Sequence, residues 1–209
     1  MRKIFLLVLL FVTTSLSAQF NEAILHFRDG SIKKGVAKHP FASIKLKFKE
    51  NEESNPQIFT YKKVDKFFFI TYKKGKEIKT EYEYKLSPKQ ITPKLVEVYI
   101  RGKISLYGIE KQHTSVGMPM GGFGGNSGVG FSMGIGGSST TYYLGKEDSD
   151  IIEKITSRES FNFKRFKKIV LKHFKDCKLL VEKTKKKKKY LKKETMFSIV
   201  EFYNKNCNN

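Results

Sequence analysis

The chain has 209 residues, a formal net charge of +21, two cysteines and no tryptophan. This length suits one domain, or one domain with a small appendage. The apolar fraction of 39% is ordinary, which excludes a chain without a packed core and leaves Phe and Tyr as its large aromatic residues.

The first residues have the pattern of a targeting segment. Arg2 and Lys3 precede the apolar run Ile4–Val12, which is too short to span a membrane as a helix, and mostly small or polar residues follow. We therefore expect residues 1–18 to be a signal peptide that is cleaved after Ala18; an uncleaved anchor is the alternative. No cysteine follows the apolar run, which argues against lipidation of the bacterial lipoprotein type. The expected location is periplasmic, outer-membrane-associated or secreted.

The positive charge is concentrated toward the C-terminus. From Ser157 onward there are 17 Lys and Arg residues against 5 Asp and Glu residues. Such a field attracts anions. Because export argues against nucleic acid, the candidate partners are anionic lipid, envelope polysaccharide or an acidic protein. The alternative interpretation is that the lysines only solvate the surface.

The first predicted hairpin is built around Asp29-Gly30, because Asp-Gly between two alternating runs is a strong hairpin signal. A two-residue turn would pair Phe27 with Ile32 and place Val36 on the same buried face. Further strands are predicted where apolar and polar residues alternate or where an apolar run is short and dense. These are Ser43–Lys49, with its lysines opposite Ile44, Leu46 and Phe48, then Gln57–Tyr61, Phe67–Tyr72 and Ile78–Leu86.

The best-patterned stretch is Leu95–Ile109, which predicts a second hairpin. A three-residue loop with Gly102 in the left-handed conformation would place Val98 opposite Ile104. A further strand, Thr140–Leu144, is predicted after a glycine-rich insertion.

Three runs in the N-terminal half carry a family resemblance. LHFRDGSIKKGVAKH, followed by SIKLKF and FTYKKVDKFFF, resembles the first strands of small, strongly bent Sm- or SH3-like barrels in exported proteins of Bacteroidota. YYLGKE and the terminal YNKNC are similar to the remainder of uncharacterised secreted proteins from the same bacteria. The resemblance implies a fold and brings no known activity, and the glycine-rich insertion departs from it.

The insertion, residues 117–137, contains ten of the sixteen glycines, interleaved with Met and Phe. Ordering such a backbone is entropically costly, so we expect a flexible loop. The sharper alternative is a loop whose apolar side chains touch lipid or a partner. Ser132 lies in a G-x-S-x-G match, but a nucleophile elbow needs a strand before the serine and a helix after it, and glycine-rich sequence lies on both sides.

After Leu144 the periodicity changes. Residues 148–155 are predicted to be a short connection or helical turn, and three helices should follow. The first would run from an N-cap at Ser160 to about Asp176, the second would contain Leu180, and the third would span Glu194–Tyr203. The side chains expected to face the core are Phe163, Phe166, Ile169, Val170, Phe174, Met196, Ile199, Val200 and Tyr203.

Cys177 and Cys207 are the only cysteines. An exported chain with two cysteines invites one disulfide, with free thiols or an intermolecular bridge as the alternatives. The densest charge in the chain lies between them and is the candidate anion-binding segment; a solvated lysine run is the alternative. Its residues are Lys183, Lys185, Lys186, Lys187, Lys188, Lys189, Lys192 and Lys193.

The sequence contains no assembled catalytic or cofactor motif, and its four histidines lack metal-ligand spacing. Glu81 and Glu83 alternate with lysines and suggest a solvated strand face. We therefore expect a non-enzymatic protein without cofactor or metal that binds or scaffolds at the cell envelope. The predicted fold is α+β: an antiparallel β-meander or small barrel over residues 19–156, followed by two to three helices in a basic segment, residues 157–209, packed on it.

Overall fold

A computed structural model describes residues 20–40, 44–112, 138–157, 163–186 and 196–207. The predicted signal peptide and the glycine-rich insertion with Ser132 lie outside these residues. Ten strands and three helices are present in the described part. They are β1 (Phe20–Phe27), β2 (Ile32–Lys38), β3 (Lys45–Lys49), β4 (Gln57–Thr60), β5 (Val64–Lys73), β6 (Lys76–Lys85), β7 (Lys94–Ile100), β8 (Ile104–Gln112), β9 (Ser138–Lys146), β10 (Ile152–Ser157), α1 (Phe163–His173), α2 (Lys178–Lys186) and α3 (Met196–Asn206).

The strands form one antiparallel sheet in the order β10-β9-β8-β7-β6-β5-β1-β2-β3-β4. The sheet is open, with β10 and β4 at its ends, so of the two predicted architectures the meander is confirmed. The predicted α+β class, with helices after the strands, is confirmed as well. By its internal contacts the chain divides into two compact units, Met1–Val98 and Tyr99–Asn209, and the division falls within β7.

The first hairpin forms as predicted, but its register is wrong by one residue. Ile32 pairs with His26, and the amide of Phe27 donates to the carbonyl of Ser31, so the loop has three residues. Gly30 takes the left-handed conformation with φ of 84°. Because successive side chains in a strand point to opposite faces, this shift turns Ile32 outward and brings Ala37, not Val36, into the core.

The buried face of the first unit is rich in aromatic residues and follows the predicted alternation of β3. Leu46 and Phe48 of β3 are fully buried, as is Phe67 of β5, which is a central strand between β1 and β6. Gly35 of β2 is required at its position, because a Cβ there would lie 2.1 Å from the carbonyl oxygen of Lys49. The other members of this core are Ala23, Leu25, Ala37, Val64, Phe69 and Tyr84.

In the second unit, two predictions about the strands are wrong. Gly102 has φ of 159°, which is nearly extended and not left-handed. Residues 152–157 form the strand β10 where a connection or helical turn was predicted, and β10 pairs with β9. The predicted strand Thr140–Leu144 is confirmed as the centre of β9, which pairs with β8.

The helices of the second unit bury the predicted stripes. Val170 of α1 and Phe174, one residue beyond its end, are fully buried, as is Leu180 of α2, and Ile169 is partly buried against the same core. All four side chains predicted to face inward from α3 are buried. Ser160 and the side chains of Phe163 and Phe166 lie outside the described part. None of the helices described is long and apolar enough to cross a membrane.

Candidate functional site

The structure describes only part of the predicted anion-binding segment. Lys183, Lys185 and Lys186 belong to α2, whereas Lys187, Lys188, Lys189, Lys192 and Lys193 lie outside the described residues. The ammonium group of Lys183 lies 4.2 Å from the centre of the Phe202 ring, a cation–π contact. Lys183 therefore packs on α3, and Lys185 is exposed. The anion-binding role of the segment stays a prediction.

A second basic surface lies in the first unit, on the outward side of β2, β3 and β4. Its exposed side chains share one face because the strands alternate and their registers are fixed by the pairs Lys38–Lys47 and Lys47–Ile58. We name it the lysine–isoleucine face and define it as Ile32, Lys34, Lys38, Lys45, Lys47 and Ile58.

The buried side of the same strands holds the lysine–isoleucine face in place. Ala37, Leu46 and Phe48 are completely buried, so the alternating lysines must point away from the core. Lys38, Lys47 and Ile58 form one row across three strands. Within β2, β3 and β4, which the structure describes completely, no acidic residue lies on this side.

The lysine–isoleucine face combines two features. Lys38 and Lys47 stand directly opposite each other, as Lys73 and Lys76 also do on β5 and β6, and such an arrangement of like charges destabilises a strand pair. Ile32 and Ile58 are 55% and 56% exposed, although isoleucine is among the residues most often buried. Basic charge and exposed apolar surface thus occur together on one side of the sheet.

The alternation of β3 indicated this surface in the sequence, because its lysines were predicted to lie opposite its apolar residues. The contributions of β2 and β4 could not be recognised. Placing Lys38 and Ile58 beside Lys47 requires the strand registers, and the predicted β2 register was wrong.

Glu83 was predicted to be on a solvated face and is buried instead. It stands between Lys66 of β5 and Val96 of β7 in the sheet, with an exposed fraction of only 7%. One carboxylate oxygen lies 3.4 Å from the ammonium group of Lys85, which is also buried. Because buried charges must be paired, we interpret this as an internal ion pair of the sheet. Glu81 of the same strand pairs with Lys66 at 3.9 Å.

The side chain of His173, at the end of α1, is only 16% exposed. Its Nε2 lies 3.5 Å from a carboxylate oxygen of Glu153 on β10, and Lys172 contacts the other oxygen. Burial lowers the pKa of His173, against the opposing effect of Glu153, so the imidazole is neutral at pH 7. A neutral histidine beside a carboxylate can act as an acid–base pair in catalysis. Here Lys172 also pairs with the carboxylate of Glu153, so the three side chains form a contact that joins α1 to β10.

The terminal YNKNC motif has structural roles. The hydroxyl of Tyr203 donates to Asp176 at 2.6 Å. Asn204 forms two hydrogen bonds with the backbone of Ile104, accepting from its amide at 3.1 Å and donating to its carbonyl at 2.8 Å. Cys207 forms the predicted disulfide with Cys177.

The Arg-Asp-Gly-Ser motif of the first hairpin is structural too. Asp29 accepts hydrogen bonds from the amide and the hydroxyl of Ser31, which lower the pKa of its carboxyl. Nε of Arg28 donates to the carbonyl of Tyr61 at 3.1 Å. This contact joins two of the runs that carry the family resemblance, so those residues explain the fold and not a binding site.

Across the described ranges, no group of three or more His, Cys, Asp or Glu side chains could hold a metal ion. Neither the sequence nor the fold matches a protein-family model, a curated protein or a solved structure. The candidate binding surface that the described chain offers is therefore the lysine–isoleucine face, and its chemistry is that of a basic, partly apolar binding surface.

Proposed function

We propose that this chain is an exported protein of the cell envelope that binds an anionic partner and does not catalyse a reaction. The observation that carries the proposal is the lysine–isoleucine face, on which Lys38 and Lys47 stand opposite each other and β2–β4 contribute no acidic residue; Glu22 of the neighbouring strand β1, opposite Val36, lies on the same side. Such an arrangement costs stability in the free protein. An anion that lies across both lysines would remove that cost.

Export is supported by the signal-like N-terminus and by the disulfide between Cys177 and Cys207. Disulfides persist in oxidising compartments such as the periplasm and the exterior. Mass spectrometry of the mature protein recovered from its source cells tests this part. A chain that begins at Gln19 is the expected result, and a cytoplasmic chain that keeps Met1 would overturn it.

Retention on beads coated with dextran sulfate, measured over a salt series, tests the binding function. We expect retention to weaken with salt, since screening reduces the attraction between exposed charges. The double variant Lys38→Gln/Lys47→Gln should weaken it several-fold more than Lys73→Gln/Lys76→Gln. Lys73 and Lys76 also stand opposite each other on two neighbouring strands and are exposed. The alternation of side chains places them on the side of the sheet opposite to that of Lys38 and Lys47. Equal effects of the two variants would mean that only net charge matters and would contradict a specific surface.

The lysine-rich segment that includes Lys183 and Lys185 is the second candidate surface. The observation in its favour is its charge density, together with the exposure of Lys185 on α2. Replacing Lys185–Lys189 with glutamine distinguishes the two surfaces in the same assay. If that variant loses retention and Lys38→Gln/Lys47→Gln does not, the binding surface is the segment.

A further inference from the structure

We propose that the lysine–isoleucine face docks onto an anionic lipid bilayer, with Ile32 and Ile58 entering the headgroup layer. This inference rests on the function proposed above and names the partner. It follows from three properties of the face: its row of charges, its exposed apolar residues and the flexible stems of its lysines.

The charges are arranged for a surface of many anions and not for a single small ion. Lys38 and Lys47 face each other across β2 and β3, Lys34 lies four residues before Lys38 on the same side, and Lys45 lies two residues before Lys47. Neighbouring strands are about 4.8 Å apart, so these ammonium groups spread over a plane and do not converge on one point. Lipid headgroups offer negative charge in a plane.

The apolar residues distinguish a bilayer from a soluble polyanion. Ile32 begins β2 and Ile58 lies on β4, so the two exposed isoleucines are on different strands on the same side as the lysines. A polysaccharide provides charge but little apolar surface into which they could be buried. At a bilayer surface, isoleucine can enter the boundary between headgroups and acyl chains while lysine attracts the anionic lipid.

The lysines suit this environment as well. A lysine stem can lie along apolar surface while its ammonium group remains among the headgroups. Lys47 is the neighbour of Ile58 in the sheet, so burying Ile58 among lipids would bring the stem of Lys47 to the same depth. The repulsion between Lys47 and Lys38 would then be neutralised by headgroups between them.

The experiment is sedimentation of the full mature chain with phosphatidylcholine vesicles that contain phosphatidylglycerol, compared with pure phosphatidylcholine. We expect binding to the anionic vesicles only. Lys38→Gln/Lys47→Gln should reduce it by about fivefold for each lysine removed. Ile32→Ser/Ile58→Ser, which leaves the charge unchanged, should reduce it by about tenfold or more.

Two matched variants control for net charge and for general apolar exposure. Lys73→Gln/Lys76→Gln removes the same charge from the opposite side of the strands. Ile78→Ser/Ile91→Ser removes two other exposed isoleucines, which are 42% and 96% exposed. Both should bind the anionic vesicles within a factor of about two of the unchanged protein. Urea unfolding of each variant shows that it has folded.

The outcomes separate this inference from the proposed function. Retention on dextran sulfate without vesicle binding would overturn the bilayer inference and leave an anion-binding protein whose partner is a polysaccharide or another soluble polyanion. If the unchanged protein is neither retained on dextran sulfate nor bound to the vesicles, both the proposed function and the bilayer inference are overturned. Vesicle binding that the isoleucine variant does not weaken would overturn the insertion of Ile32 and Ile58, because the lysines alone would then account for it.

Discussion

The contact between Tyr203 and Asp176 shows how one side chain secures the C-terminal helix. The Tyr203 ring packs against Phe174 at 5.0 Å, and its hydroxyl donates to Asp176, which also lies 3.6 Å from the ammonium group of Lys103. Burial raises the pKa of Tyr203, and the hydrogen bond to Asp176 and the charge of its carboxylate raise it further. The tyrosine is therefore a donor over the whole physiological pH range.

Tyr203→Phe keeps the ring and removes the donor. We expect a loss of about 1 kcal/mol in the free energy of unfolding at neutral pH, the usual net value of a hydrogen bond. Partial burial raises the pKa of Asp176, but the bond from Tyr203 and the contact with Lys103 outweigh it, so the pKa is lowered overall. A lowered carboxyl pKa gives stability that is present above the unfolded value, about 3.9, and is lost as the pH falls through the folded value.

The difference between the unchanged protein and Tyr203→Phe in urea unfolding should therefore hold at neutral pH and shrink as the pH falls below about 4. Asp176→Asn is the control, because the amide still accepts a hydrogen bond but does not titrate in this range. In that background the effect of Tyr203→Phe should not change with pH. A difference that stays constant in the native background as well would show that the carboxylate charge plays no part.

At the same scale, Asp29 explains why the first hairpin register could not be predicted. A two-residue turn of type I′ needs a positive φ at both central residues, as Lys74 and Gly75 show in the β5–β6 hairpin with φ of 53° and 75°. At Asp29-Gly30 only the glycine has a positive φ, while the Asp29 carboxylate binds Ser31. The dipeptide predicted the hairpin correctly, but the side-chain hydrogen bonds that set the loop length leave no periodic signal in the sequence.

Among the elements, β10 shows a similar limit. Ile152 and Ile155 are both buried although they are three residues apart, a spacing typical of a helix. The register of β10 against β9 shifts between Lys154 and Thr156, so a bulge brings both isoleucines to the core side. The alternating strands β3 and β6 could be predicted because their patterns are uninterrupted. A bulge interrupts the two-residue alternation of buried and exposed side chains by which a strand is recognised in a sequence.

Also at the element scale, the facing lysines of β2 and β3 predict a conflict between stability and binding. Lys47→Thr removes a like charge opposite Lys38 and introduces a residue that favours strands, so the free energy of unfolding should rise by several tenths of a kcal/mol. Lys34→Thr is the matched control, because Lys34 of β2 pairs with Ile24 and not with a lysine. The free energy of unfolding should therefore rise less in Lys34→Thr than in Lys47→Thr.

Urea unfolding measures both variants, and retention on dextran sulfate shows the effect on function. Lys47→Thr should be the more stable protein and the weaker binder. A gain in stability without a loss of binding would mean that the opposed lysines are a tolerated defect. A loss of stability would mean that Lys47 makes a favourable contact that outweighs the repulsion.

At the scale of the whole molecule, the two compact units differ in what holds them together. The first unit, Met1–Val98, contains the aromatic core and the lysine–isoleucine face. The second, Tyr99–Asn209, contains the three helices, the core formed by β8, β9 and β10 with them, and the disulfide. Stabilisation by the disulfide and the proposed binding function are thus assigned to different units, which makes them separable by experiment.

Cys177→Ser/Cys207→Ser should therefore weaken the second unit and leave binding unchanged. The bridge joins residues 30 positions apart, and closing a loop of that size is worth on the order of 3–4 kcal/mol. We expect amide hydrogen exchange to accelerate by a large factor in α1 and α3 and to change little in β1 and β5, since local unfolding follows local stability.

Retention on dextran sulfate should stay at the level of the oxidised protein, because the lysine–isoleucine face belongs to the first unit. Equal acceleration in β1 and α3 would show instead that the units unfold together, and a loss of retention in the folded variant would place the anion-binding surface in the second unit.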